Sequence, residues 1–207
     1  MSKFEALTVR DAFVDLNNYQ KYYGVGGLGL TRFVIKSSIK FELLPGRNGA
    51  KVCQTDTMLP VNGPIEKFTK SYFIDQGELE FAFISNDFDY RLVSESENKK
   101  VVEIFPTKET VRKNDEVVEL TEIVQITDHF SKEGGSFDHT WSIPTEKILF
   151  EINFQDDDPP VNINYEILLG NTKVDHKYCE VQRTRNSIKI HFSEHLERTK
   201  LVVSWSW

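Results

Sequence analysis

The sequence predicts an all-β fold: an antiparallel β-sandwich of two related β-units, preceded by one N-terminal helix. Three features lead there: apolar residues at every second position along several runs, a set of those positions written twice, and turn residues between the runs. Tyr72, Ile74, Leu79, Phe81 and Phe83 are echoed at one constant offset by Trp141, Ile143, Ile148, Phe150 and Ile152. A period of two places each set on one face of a pleated strand. Tyr90 and Leu92 are matched by Tyr165 and Ile167 once the acidic insertion from Asp156 to Pro160 is allowed. The chain thus divides into residues 1–65 (helix, glycine-rich segment and hairpin), a first β-unit over 66–130 and a second over 137–207.

Thr8-Val9-Arg10-Asp11 resembles a capping box, and Val9, Phe13, Leu16 and Tyr23 recur near a 3.6 period, which predicts a helix over about 8–20. It ends where Tyr22-Tyr23 meets Gly24-Val25-Gly26-Gly27-Leu28-Gly29-Leu30, because closely spaced glycines lose too much backbone entropy to stay helical. Phe33-Val34-Ile35 and Ile39, Phe41, Leu43 read as extended, Pro45-Gly46-Arg47-Asn48-Gly49 as a hairpin turn, and the chain returns from Val52. Leu59-Pro60-Val61-Asn62-Gly63-Pro64 punctuates before the first unit. Within that unit Glu116 to Ile126 carries β-branched residues that favour a strand, although Val117, Leu120 and Val124 also fit one helical face. Ser131 to Ser136, with Gly134-Gly135, links the units. The second unit holds clean alternations at Val161, Ile163, Tyr165, Ile167; at Ile188, Ile190, Phe192; and at Leu201, Val203, Trp205, Trp207. Polar residues fill the opposite positions, as in an antiparallel sheet with one wet face.

With 25 Lys and Arg against 32 Asp and Glu, the net charge is −7, a field that repels phosphate backbones and anionic lipid. Nucleic acid is therefore not an expected partner. The first residues lack a basic stretch leading into an apolar core, and no apolar run approaches the roughly 20 residues of a membrane span. Cys53 and Cys179 are far apart and outside any Cys-x-x-Cys pattern, which reads as two free thiols. These features point to a cytoplasmic protein.

The chemical motifs are sparse. Gly24 to Gly29 satisfies the letters of Gly-x-Gly-x-x-Gly, but a nucleotide loop needs a strand before it and a helix after it, and here the order is reversed. Tyr22, Tyr23, Leu28 and Leu30 instead offer apolar anchors on a segment that could order against a partner. His191 and His195 have zinc-pair spacing only on a helix, whereas Ile188 to Phe192 alternates as a strand. Asp175, His176 and Cys179 are sequence neighbours without the spatial convergence that thiol catalysis needs. Asp156-Asp157-Asp158 could supply oxygen ligands to calcium, and equally reads as a polar turn. Trp205 and Trp207 alternate with Ser204 and Ser206, placing both rings either in the core or on an exposed platform for a protein or a sugar.

Trp141-Ser142-Ile143, Ile148 to Phe154 and Val161 to Tyr165 resemble the paired strands around the acidic turn of GOLD domains, β-sandwich modules of membrane traffic. Ile188 to Trp207 is similar to that family's closing hairpin. The resemblance spans about a third of the chain and implies a non-catalytic recognition module that docks proteins. The functional expectation is accordingly a non-catalytic protein-binding or adaptor module, not an enzyme, with no cofactor or metal and no small-molecule ligand. A protein partner or self-association would be held by Tyr22, Tyr23, Leu28, Leu30, Trp205 and Trp207. The alternatives are a structural subunit of a particle, such as a viral coat or tail protein, and a carbohydrate-binding module.

Overall fold

The computed structural model describes residues 32–60, 65, 67–74, 77–85, 87–96, 99–107, 117–131, 133–141, 145–155, 158–169, 172–173, 179–192 and 199–207. The helix expected over 8–20 lies outside them. Among the described residues the chain is built of strands and turns: β1 (Arg32–Leu43), β2 (Ala50–Pro60), β3 (Phe68–Phe73), β4 (Glu78–Ile84), β5 (Phe88–Ser96), β6 (Lys99–Pro106) and β7 (Val118–Thr127), then β8 (Gly134–Trp141), β9 (Thr145–Asn153), β10 (Asn162–Leu169), β11 (Thr172–Lys173), β12 (Cys179–Arg183), β13 (Ser187–Phe192) and β14 (Thr199–Ser206). No helix among them is long and apolar enough to cross a membrane.

The strands form a seven-stranded sheet in the order β12-β13-β9-β1-β2-β7-β4, a four-stranded sheet β11-β10-β14-β8 and a three-stranded sheet β3-β6-β5. The β1–β2 hairpin turns through Gly46 and Arg47, both at positive φ. Purely antiparallel pairing was the expectation, and here the structure corrects it: β1 lies parallel to β9, with Ile39 opposite Phe150 and Phe41 opposite Ile152. Alternation has the same period in parallel and antiparallel strands, so strand direction is invisible to it. The seven-stranded sheet draws strands from all three stretches into which the sequence divides. Of the echoed residues, Phe81 sits on β4, which among the described residues is an end strand paired with β7, and Phe150 on β9, between β1 and β13.

Both smaller sheets cover the same face of the large one. On β2 the residues Ala50, Val52, Gln54, Asp56 and Met58 share a face, and they stand opposite Ile126, Val124, Glu122, Leu120 and Val118 of β7. The Val52–Val124 end belongs to a large core with Trp141, Phe150, Leu201 and Trp205, under the four-stranded sheet. The Met58–Val118 end belongs to a second core with Phe88, Val102 and Ile104, under the three-stranded sheet. Gln54, Asp56 and Glu122 therefore form a polar seam between two apolar patches.

Phe150 is fully buried between β1 and β13, and Ile190 is fully buried on β13 beside it, while Ile163 is half-buried and Asn164 exposed. Phe150→Ala should cost about 3–5 kcal/mol, because the cavity it leaves is walled on both sides by paired strands. Asn164→Ala should stay within about 0.5 kcal/mol. Urea denaturation of the two variants checks the difference.

Candidate functional site

The seam is where charge is buried. Asp56 and Glu122 are 6% and 1% exposed. They are sequestered because alternation turns them inward along with the valines and leucines on either side. Their cation arrives from the layer above: Phe68, Lys70 and Tyr72 of β3 alternate inward with Thr69, Ser71 and Phe73 outward. The Lys70 ammonium pairs with Glu122 Oε2 and, at 3.4 Å, with Asp56 Oδ2. Tyr72 donates its hydroxyl to Glu122 Oε1 at 3.0 Å. Ser37 Oγ of β1 donates to Asp56 Oδ1 at 2.7 Å, and Gln54 Nε2 reaches both Asp56 oxygens at 3.1 and 2.9 Å. The four-stranded sheet joins through β8, where Trp141 Nε1 donates to Ser37 Oγ at 3.3 Å and His139 stacks edge-on to Trp141 at 4.6 Å. Arg32, whose guanidinium lies 3.6 Å above the Phe68 ring, adds a second positive charge facing Asp56 and Glu122.

Titration follows this arrangement. Burial pushes Lys70 toward the neutral form, but the charges of Glu122 and Asp56 outweigh it and hold its pKa above the ordinary lysine value. Burial, reinforced by Glu122, drives the Tyr72 phenol far above its usual pKa, so it serves as a donor. Arg32 falls to about 10 through burial, opposed by both carboxylates. His139 falls to about 4, mainly through burial and then through Lys70 nearby, against the smaller pull of Asp56 and Asp138. A cavity of about 410 Å³ opens beside these groups, between β3 and β8. Two of the three Lys70 donors go to carboxylates, which leaves one for an acceptor in that cavity. The site is thus equipped to hold a polar ligand by hydrogen bonds. Among the described residues no three His, Cys, Asp or Glu side chains gather as a metal site would require.

The residues singled out from the sequence lie elsewhere. Tyr22, Tyr23, Leu28 and Leu30 fall outside the described residues. Trp205 is 4% exposed and sits among Phe41, Phe130 and Phe154. Trp207 is half-buried beneath the Arg47 guanidinium at 4.3 Å, and Arg47 is held in turn by both carboxylate oxygens of Asp158. Neither indole lines the seam cavity. His191 is half-buried on β13, and Cys179 opens β12 with its thiol pushed up by burial. Asp156, Asp157, Asp175, His176 and His195 are outside the described residues. Sequence reasoning passed over Gln54, Asp56, Lys70, Glu122 and His139. The signal was present in register: Gln54 and Asp56 interrupt the inward positions between Val52 and Met58, and Glu122 interrupts those between Leu120 and Val124.

No protein-family model matches the chain, and no curated protein matches it. Solved structures do match its fold. A candidate protease from Parabacteroides distasonis shares it with a TM-score of 0.54 at 9% identity, over 86% of this chain and 40% of that one. Native leukotriene A4 hydrolase from Saccharomyces cerevisiae gives 0.50 at 8% identity, over 84% of this chain and 29% of that one. An M1 zinc metallopeptidase from Deinococcus radiodurans gives 0.44 at 12% identity, over 84% and 42%. The chain spans less than half the length of each of these proteins. The fold is therefore one found inside a candidate protease and a leukotriene A4 hydrolase, and this corrects the expectations of a non-catalytic protein-binding or adaptor module and of a chain that is not an enzyme. Alternation and turns are common to many β-folds, so they could not separate these classes.

Removing Lys70 alone strands two buried carboxylates, so Lys70→Met should destabilise by about 3–5 kcal/mol. Replacing Asp56, Lys70 and Glu122 together by Leu, Met and Leu should recover most of that loss in urea denaturation. His139 supplies a pH test. Its folded pKa of about 4 lies below the 6.5 of an ordinary histidine, so between these values the unfolded chain holds the extra proton. Stability should fall as pH drops from 6.5 toward 4. His139→Gln should flatten that part of the melting-temperature profile.

Proposed function

We propose that the chain works in peptide hydrolysis, as the β-sheet part of a peptidase. The observation that carries this is the fold: over 86% of its length the chain matches two-fifths of a candidate protease, and over 84% it matches less than a third of a leukotriene A4 hydrolase. The seam fits such a role, since a cavity lined by a lysine donor, a histidine and two strands that are end strands among the described residues offers hydrogen bonds of the kind a peptide backbone accepts and donates. The groups that break the bond belong, on this reading, to a catalytic part that works together with this fold.

The test is activity that follows the chain. The full-length protein, tagged in its own cells and purified, is assayed against fluorogenic peptides with free and blocked N-termini. Hydrolysis should co-purify with the tag and drop when the chain is immunodepleted. A preparation that turns over none of the panel overturns the reading.

A further inference from the structure

The cavity has an unusual pair of walls. Among the described residues β3 is an end strand of the three-stranded sheet and β8 an end strand of the four-stranded sheet. Five consecutive residues of each, 69–73 and 137–141, line the same cavity. One edge of β3 is bonded to β6 and one edge of β8 to β14. In an antiparallel strand alternate residues direct their N–H and C=O groups to opposite edges, so each strand turns a row of such groups toward the gap. At about 3.3 Å per residue, each row is about 16 Å long. Another strand is the group that can pair with two facing rows at once.

Charge narrows the occupant. The cavity is lined by Asp56, Glu122 and Asp138 with Lys70; Arg32 faces Asp56 and Glu122 from outside the lining and Lys200 pairs with Asp138, so the formal charges of the cluster cancel. An anion would meet three carboxylates, and a cation would meet Lys70 with Arg32 and Lys200 behind it. A neutral polyamide meets neither penalty, and its carbonyls suit the remaining Lys70 donor.

We propose that the gap between β3 and β8 binds an extended peptide of about five residues as an inserted strand, joining the two smaller sheets into one continuous layer. The choice of a peptide in trans rests on the hydrolytic reading above, whereas the paired edges and the charge balance are independent of it.

The probe is the blocked, uncharged pentapeptide acetyl-Thr-Val-Thr-Val-Thr-amide, added to the full-length protein. Backbone amide exchange is followed at residues 69–73 and 137–141. Without peptide, the alternate amides facing away from β6 and β14 should exchange freely; with it, both rows should become protected. A version N-methylated at alternate residues keeps every side chain but loses the donors along one edge, and should bind about tenfold more weakly or worse. Protection at one strand alone, equal binding of the N-methylated peptide, or amides already protected without peptide each overturn the proposal. Protection of both rows in a protein that hydrolyses no peptide would leave the strand site standing and remove the hydrolytic reading. Hydrolysis without protection would do the reverse.

Discussion

The pairing of Lys70 with Asp56 and Glu122 is the constraint on which the layered arrangement depends. A carboxylate taken out of water is tolerated only if its charge is answered and its lone pairs are filled. Two such groups sit on the inner face of the large sheet, on neighbouring strands, and neither strand supplies a cation to them. The answer comes from β3, in the layer above. That requirement fixes where β3 lies over β2 and β7 more tightly than apolar contact would, because a shift of one residue would turn Thr69 or Ser71 inward in place of Lys70.

From this pairing the two cores follow. Apolar residues beyond the seam in one direction pack under β3, β5 and β6, and those in the other direction under β8, β10 and β14. The hydrogen-bond chain from Trp141 through Ser37 to Asp56 ties the second cover to the same charges. Such a network rigidifies when fully satisfied, and it holds the two covers at a defined separation without merging them. Two sheets that meet over a polar line keep their end strands apart, and the cavity is the space that results.

The site owes its character to the same economy of charge. A half-buried lysine and arginine answer two buried carboxylates, while the histidine beside them is held neutral by burial and by Lys70. A binding place of this kind favours a ligand with many hydrogen-bond groups and no net charge.

Much of this was legible in the residues themselves. The alternations at Ile188–Phe192 and Leu201–Trp207 are strands with the inward faces expected, and the turn at Gly46 closes the first hairpin, because period and turn chemistry are local properties. Asp56 and Glu122 could have been marked as charges at core register, yet nothing local says that Lys70 answers them, since the three residues lie on strands of different sheets. Strand direction, the parallel join of β1 to β9 and the facing of β3 by β8 likewise depend on contacts between distant segments. The sequence by itself determined which residues point inward; the tertiary structure alone decided which inward residues meet, because burial is encoded in a period of two and partnership is encoded only in the packing of layers.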